Sequence, residues 1–218
     1  MHASRIVVAA LMLGGLLAAC ADTNPSSPYP QTPPATPPAL APQTMVLRPT
    51  QLSGYLRTDD STVDASTLAD QETDQSLVAT FQHEGLQVGA RATYADPNRG
   101  AAPTPFATVI SQVLFFRDAQ GAGSFFTEEQ KRRDTAPPGG TLAPLTLSQG
   151  TADAIVGIAA TVPPQTGGDP PSRALFALIR QGRFIAELLG GGPSTTATDD
   201  RFAALVALQE QQLAQKSG

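Results

Sequence analysis

The chain has 218 residues, of which 41% are hydrophobic and 15% are charged, and its formal net charge is −5. This acidic balance argues against nucleic acid as a partner, because binding to DNA or RNA depends on clustered Lys and Arg. A single Cys excludes an internal disulfide framework and a multi-cysteine metal cluster, and two His nearly exclude a multi-histidine site, so we expect neither a metal nor a cofactor.

The first twenty residues contain the parts of a secretory signal peptide. Arg5 provides a basic start, and an apolar run follows over residues 6–17. The run is shorter than the ~20 residues that a mature membrane-spanning helix needs. Small residues then lead directly to Cys20.

The tetrad Leu17-Ala18-Ala19-Cys20 resembles the lipobox of bacterial lipoproteins. The resemblance implies cleavage between Ala19 and Cys20 and attachment of diacylglycerol to the Cys20 thiol. We therefore expect residues 1–19 to be a signal peptide, and the protein to be held in the cell membrane on its extracytoplasmic side. Two acyl chains anchor a protein stably, whereas one gives only marginal binding. The alternative is an ordinary secretion signal that is followed by a chance cysteine.

Proline dominates the segment that follows the cysteine. Residues 20–45 contain many prolines, no glycine and one charged side chain, Asp22. Proline favours the extended polyproline II form, which rises ~3.1 Å per residue. The composition predicts a stiff, disordered tether that lifts a single domain over residues 46–218 off the lipid surface. A proline-rich ligand for a partner domain and a glycosylated stalk are the alternatives.

The first half of the domain combines helical and strand patterns. Residues 64–84 read as a helix with a break near Glu72–Asp74, because apolar positions are spaced at helical intervals and Gly85 follows. Strict alternation predicts a strand over 86–94. Residues 108–116 are apolar on both faces, as in a central strand, and Asp118 begins a helix that runs to about residue 134.

The second half is richer in strand patterns. We predict strands over 142–147, 154–162, 174–180 and 183–189, the last two as a hairpin, with Gly190–Gly192 as its flexible exit, and a final helix from Thr198 to about Lys216. Consecutive strands joined by short turns form antiparallel sheets. The sequence therefore predicts an α+β fold with a mainly antiparallel sheet of about six strands packed against about three helices.

The C-terminal part carries a second resemblance. The hairpin Arg180–Ala186, the pair Asp199-Asp200 and a helix with Gln209, Gln211 and Gln212 look like the end of several extracytoplasmic lipoprotein and kinase-sensor domains of actinobacteria. The resemblance implies an α+β extracytoplasmic domain, and it assigns no functional residue.

The sequence offers little for catalysis. It has no G-x-S-x-G motif, and His83 lies at a predicted helix end, where a cation is stabilised by the helix dipole. Acidic side chains occur as neighbours at Asp59-Asp60, Glu128-Glu129 and Asp199-Asp200, and adjacent positions do not make two carboxyl groups converge. The alternation Asp70-x-Glu72-x-Asp74 loosely resembles a calcium-binding loop, but it lacks the glycine and the distal glutamate of an EF-hand, and a solvated helix face is the favoured alternative. We therefore expect that the protein is not an enzyme.

Two features remain as candidates for binding. The basic run Lys131–Arg133 would suit an anionic partner or complement a helix end. Phe125 and Phe126 share one face of a predicted helix and are the candidates for lining an apolar cleft for a lipid-like molecule, with a place in the core as the alternative.

The sequence thus favours a non-enzymatic ligand-binding or sensor-like domain of the cell envelope. The other hypotheses are an adaptor that docks onto an envelope protein and an envelope hydrolase whose carboxylates the sequence does not pair.

Overall fold

The computed structural model describes residues 42–98, 104–164 and 170–217. Cys20, the predicted signal peptide and most of the predicted tether lie outside the described residues. Within the described ranges, none of the helices combines the length and the apolar character needed to cross a bilayer.

One antiparallel sheet forms the middle of the domain. Its seven strands lie in the order β1-β2-β3-β7-β6-β5-β4, so two meanders meet where β3 pairs with β7. The strands are β1 (Leu56–Val63), β2 (Leu86–Ala95), β3 (Thr108–Phe116), β4 (Thr141–Leu145), β5 (Ala154–Val162), β6 (Ser172–Gln181) and β7 (Phe184–Pro193).

Helices cover both faces of this sheet. The described residues form the helices α1 (Ala65–Gln71), α2 (Leu77–His83), α3 (Ala119–Arg133) and α4 (Asp199–Ser217), with short 3-10 turns at Pro42–Thr44 and Pro49–Gln51. Leu68, Phe81 and Phe125 pack α1, α2 and α3 onto one face. Phe202 and Val206 pack α4 onto the other face. The result is a sheet between two helical layers, each closed by its own apolar core.

The α+β class and the antiparallel sheet are confirmed, with one more strand than predicted. The additional strand is β1, at the edge of the sheet, and most of its residues are exposed. The helix predicted over 64–84 is two helices, because Thr73 takes a left-handed backbone conformation with φ 55° and interrupts it. The predicted break near Glu72–Asp74 lies at this residue.

The glycine run Gly190–Gly192 is not the flexible exit that the sequence suggested. Strand β7 continues through it to Pro193. A Cβ atom on Gly190 would lie 3.0 Å from the Phe106 ring and 3.2 Å from the Phe202 ring. The first of these glycines therefore lets two core rings approach the strand closely.

The segment before β1 belongs to the packed domain. Pro42–Thr44 form a 3-10 turn and Met45 is fully buried, although the sequence analysis placed them in the tether 20–45. The Leu47 N–H donates to Ser111 Oγ at 3.0 Å. Gln209 of α4 accepts from Ser111 Oγ at 2.7 Å and donates to the Met45 carbonyl at 2.8 Å. This relay fixes the N-terminal segment between β3 and α4, because buried backbone groups need partners.

Candidate functional site

A row of apolar side chains crosses four neighbouring strands on the face that carries α1, α2 and α3. Ile110 of β3 is paired with Leu189 of β7, Leu189 with Phe176 of β6, and Phe176 with Ile158 of β5. All four residues, which we call the apolar row, are only half-buried. Among the described residues, Ile110, Leu189 and Ile158 belong to neither of the two packed cores. Contiguous apolar side chains that stay accessible mark surfaces for ligands or partners.

Two polar side chains lie directly beside the apolar row. Gln112 and Glu187 are two residues away from Ile110 and Leu189 on their strands, so they share the same face of the sheet. Gln112 Nε2 donates to Glu187 Oε2 at 3.1 Å. The other carboxyl oxygen, Oε1, is buried, and no hydrogen bond reaches it from the described part of the chain. A buried polar atom without a hydrogen bond lowers the stability of the fold, so its presence here needs an explanation.

Glu187 belongs to a group of five charged side chains, which we call the Glu–Arg cluster: Glu72, Glu129, Arg132, Arg133 and Glu187. Arg133 donates to Glu129 at 2.6 Å and to Glu72 at 2.8 Å. Arg132 donates to the same Glu129 carboxylate at 2.8 Å from Nε. Glu129 is the most enclosed of the ion-paired members, with 2% of its side chain exposed. Three carboxyl groups thus face two guanidinium groups.

Burial decides which carboxyl group stays neutral. It raises the pKa of Glu187 to about 8, and the nearby Glu129 carboxylate raises this pKa further, while Arg133 opposes the rise. Burial also raises the pKa of Glu72, with Arg133 again opposing. At neutral pH Glu187 therefore holds its proton. The remaining two carboxylates of the Glu–Arg cluster then balance its two guanidinium groups.

The Glu–Arg cluster contacts the apolar row through a cation–π interaction. The guanidinium carbon of Arg133 lies 4.9 Å from the centre of the Phe176 ring. The guanidinium carbon of Arg132 lies 5.5 Å from the Phe81 ring centre and 5.7 Å from that of Phe125. The end of α3 thus places charged groups against the apolar row on one side and against the core on the other.

The structure places both candidate phenylalanines in the packed core. Phe125 is fully buried, and its ring centre lies 5.8 Å from that of Phe81 and 5.2 Å from that of Phe116. Phe126 is 8% exposed and belongs to the same core. Neither residue is part of the apolar row.

The basic run and the alternating carboxylates use their charges locally. Lys131 pairs with Glu128 at 2.7 Å, while Arg132 and Arg133 belong to the Glu–Arg cluster. Asp70 accepts from Gln75 and Asp74 from Ser76, whereas Glu72 accepts from Arg133, so the three carboxylates have different partners. Within the described ranges, no group of three or more His, Cys, Asp and Glu is placed so that it could hold a metal ion.

The remaining candidates lie apart from one another. His83 is exposed at the end of α2. Asp59 and Asp60 are exposed on the edge strand β1. Asp199 pairs with Arg173 at 2.7 Å at the start of α4. Within the described part of the chain, none of these side chains contacts the apolar row or the Glu–Arg cluster.

A shallow groove of about 480 Å³ runs along the first half of α3. Ser124, Thr127 and Arg180 contribute polar groups to its lining, and the groove opens widely to solvent. Its lining includes no residue of the apolar row. It is not the enclosed apolar pocket that we would expect around a fully buried ligand.

Glu187 was not among the predicted site residues, although the sequence of its strand carried a signal. Residues 184–189 read Phe-Ile-Ala-Glu-Leu-Leu, so one acidic residue interrupts an apolar run that predicts a central strand. A buried carboxyl group is uncommon unless it is paired or protonated. Gln112 interrupts the run of β3 in the same way.

The described part of the chain is an α+β domain, whose seven-stranded antiparallel sheet lies between two helical layers and carries a half-buried apolar row beside buried charges. It is similar in fold to the extracellular domain of PknH from Mycobacterium tuberculosis, with a TM-score of 0.50 and 14% sequence identity. The similarity covers 77% of this chain and 93% of that domain. This fold agrees with the α+β fold that the resemblance to extracytoplasmic domains implied. No protein-family profile and no curated protein sequence matches the chain.

Proposed function

We propose that the protein is a lipid-anchored, extracytoplasmic binding domain of sensor-like type, and that it holds an amphiphilic ligand on the apolar row. One observation carries the proposal. Four half-buried apolar side chains lie side by side next to Glu187, whose buried Oε1 lacks a partner among the described residues. A ligand with an apolar body and a polar head would cover the four apolar side chains with its body and give Glu187 Oε1 a hydrogen-bond partner with its head.

Binding explains this arrangement better than hydrolysis does. General acid–base catalysis by carboxyl groups needs two of them with separate roles at one reacting bond. Glu129 and Glu72 are both ion-paired with guanidinium groups, so their carboxyl oxygens are already engaged. Glu187 alone, with its pKa raised to about 8, would suit a general acid. An envelope hydrolase therefore remains the second candidate.

The proposed location depends on the N-terminal sequence. The tetrad Leu17–Cys20 would attach the chain to lipid, and the proline-rich tether would hold the domain away from the membrane surface. The fold similarity to an extracellular domain supports this placement. A docking adaptor of the envelope would share the same anchor and tether, with the apolar row as its contact surface.

The anchor is tested by Cys20→Ser. We expect this variant to incorporate no lipid and to leave the membrane fraction, because the serine hydroxyl is not a substrate for thioether formation. Metabolic labelling with an alkyne fatty acid, followed by membrane fractionation, measures both effects. Ser26→Ala in the tether is the matched control and should behave like the unaltered protein. Full membrane retention of Cys20→Ser would contradict the anchor.

The ligand site is tested by Leu189→Asn. Native mass spectrometry of the protein extracted from its own host should show a co-purified amphiphile, and this variant should lose at least 80% of it because a polar amide replaces the centre of the apolar row. Ile155→Asn changes a half-buried strand residue that packs against the opposite core, and it should retain the ligand. Equal retention by both variants, or no ligand in any preparation, would contradict binding at the apolar row.

A further inference from the structure

We infer that the apolar row takes an amphiphile with a cationic amine head, whose ammonium group binds Glu187 while its alkyl chain lies across Ile110, Leu189 and Phe176. The inference rests on the proposed function and names the chemistry of its ligand.

The first argument is the charge of the Glu–Arg cluster. Its two guanidinium groups are already bound to Glu129 and Glu72, through Arg133 Nε and Nη2 and through Arg132 Nε and Nη2. The third carboxyl group, Glu187, has only the neutral amide of Gln112 as a hydrogen-bond partner among the described residues. Once Glu187 gives up its proton, the cluster is one positive charge short of pairing all its carboxyl groups.

The second argument concerns the donor that Glu187 needs. An ammonium group carries three N–H donors and no acceptor, so it satisfies Oε1 and brings the missing charge. A hydrogen bond between two charged groups is about twice as strong as one between neutral groups. An alcohol head could donate to Oε1 but would give ionised Glu187 no cationic partner. An anionic head would meet Glu129 and Glu72 beside guanidinium groups that are already occupied.

The third argument is the length of the apolar row. Strands in a sheet lie 4.7–4.9 Å apart, so the row from Ile110 to Ile158 spans about 14 Å across four strands. Glu187 lies beside Leu189, the second residue of the row, because the two are two positions apart on the same face of β7. A head at Glu187 thus places a medium-length alkyl chain along the row.

Binding of an ammonium group has a consequence for protons. Glu187 holds a proton at neutral pH, and it faces Glu129, Arg132 and Arg133 from α3, Glu72 at the C-cap of α1 and Gln112 from β3. Arg91 of β2 lies one strand beyond Gln112 in the same register. When the ammonium group arrives, the carboxyl O–H bond breaks, the carboxylate keeps the electron pair, and the proton passes to the buffer. We therefore expect up to one proton released for each amine bound between pH 6 and 7.

The test uses residues 20–218 with Cys20→Ser, which leaves the described part of the chain intact. Decylammonium, decanol and decanoate are titrated below their micellar concentrations in a calorimeter, at pH 6.5, in two buffers of different ionisation enthalpy. Decylammonium should bind at least tenfold more tightly than the other two, with heats that reveal proton release. Glu187→Gln should weaken decylammonium binding at least tenfold and abolish proton release, while decanol affinity changes less than twofold. Glu128→Gln, an exposed carboxylate on α3, should change nothing.

The outcomes separate this inference from the proposed function. Tighter binding of decanol or decanoate, lost on Leu189→Asn, overturns the cationic head but supports a ligand site on the apolar row. Decylammonium binding that is unaffected by Glu187→Gln, or that releases no proton, also overturns the inference. If none of the three probes binds, both the inference and the proposed binding of an amphiphile are contradicted.

Discussion

Replacing Gly121 with alanine should lower the free energy of unfolding by about 3 kcal/mol, at the upper end of the usual cost of overpacking. A Cβ atom at this position would lie 1.8 Å from the Glu84 carbonyl oxygen and 3.0 Å from the carbonyl carbon. Both obstacles are backbone atoms, which cannot move aside as the tip of a flexible side chain can. Alanine favours a helix by up to about 1 kcal/mol over glycine, but this gain is too small to offset the clash.

The contact matters because it joins two parts of one helical layer. Gly121 lies in the first turn of α3, where its N–H donates to the capping Asp118 at 2.8 Å. Glu84 is the C-cap of α2, and the carbonyl of the next residue, Gly85, accepts from the Arg117 N–H at 2.8 Å. The start of α3 is thus fixed against the turn between α2 and β2, and any displacement would disturb both.

Urea unfolding of Gly121→Ala measures this effect as a lower midpoint at an unchanged slope. Gly191→Ala is the matched control, because a Cβ there meets no atom within 4 Å and its backbone is not in the left-handed region. We expect the control to change stability by no more than about 0.5 kcal/mol. Equal midpoints for the two variants would show that the α2–β2 turn yields to the methyl group.

Most of the strands that could be predicted place several apolar side chains in a core. Residues 108–116 form an apolar run because β3 is central and covered on both faces. Strand β1 gave no such pattern, since Asp59, Asp60 and their neighbours are exposed at the edge of the sheet. Charged side chains are common on edge strands, where they discourage pairing with another chain. The absence of an alternating pattern therefore hid a real strand.

The Glu–Arg cluster could not be predicted in the same way. Local sequence patterns show only acidic residues that are adjacent in the chain, such as Glu128 and Glu129. The contacts that matter join residues far apart: Arg133 and Glu72 are separated by 61 positions, and Gln112 and Glu187 by 75. Strand register and helix packing bring these side chains together, and neither is encoded in local spacing. Only the isolated acidic residue in β7 pointed to the site.

The raised pKa of Glu187 predicts that the protein loses stability as the pH rises from about 5 to 8. The pKa of this carboxyl is about 8 in the folded protein, against an ordinary value of 4.5. Between the two values the folded state holds a proton that the unfolded state has released. The contribution of Glu187 is therefore fully present below pH 4.5 and is lost through pH 8, at roughly 1.4 kcal/mol per pH unit.

Glu187→Gln isolates this contribution, because glutamine keeps the shape of the side chain and does not titrate. Urea unfolding at pH 5.5 and 7.5 should show that the unaltered protein loses about 2–3 kcal/mol more than the variant does over this interval. Glu72 and Glu84 also have pKa values raised by burial, so a smaller slope of the same sign should remain in the variant.

Glu128→Gln is the control, because the pKa of Glu128 is shifted in the opposite direction to that of Glu187. The hydrogen bond from Lys131 lowers the pKa of Glu128, so its contribution to stability is lost only as the pH falls below its ordinary value of 4.5. Between pH 5.5 and 7.5 this variant should therefore follow the unaltered protein. If Glu187→Gln follows it as well, Glu187 is ionised in the folded state at pH 7. The buried oxygen beside the apolar row would then already be charged, and no proton would be released when an amine binds.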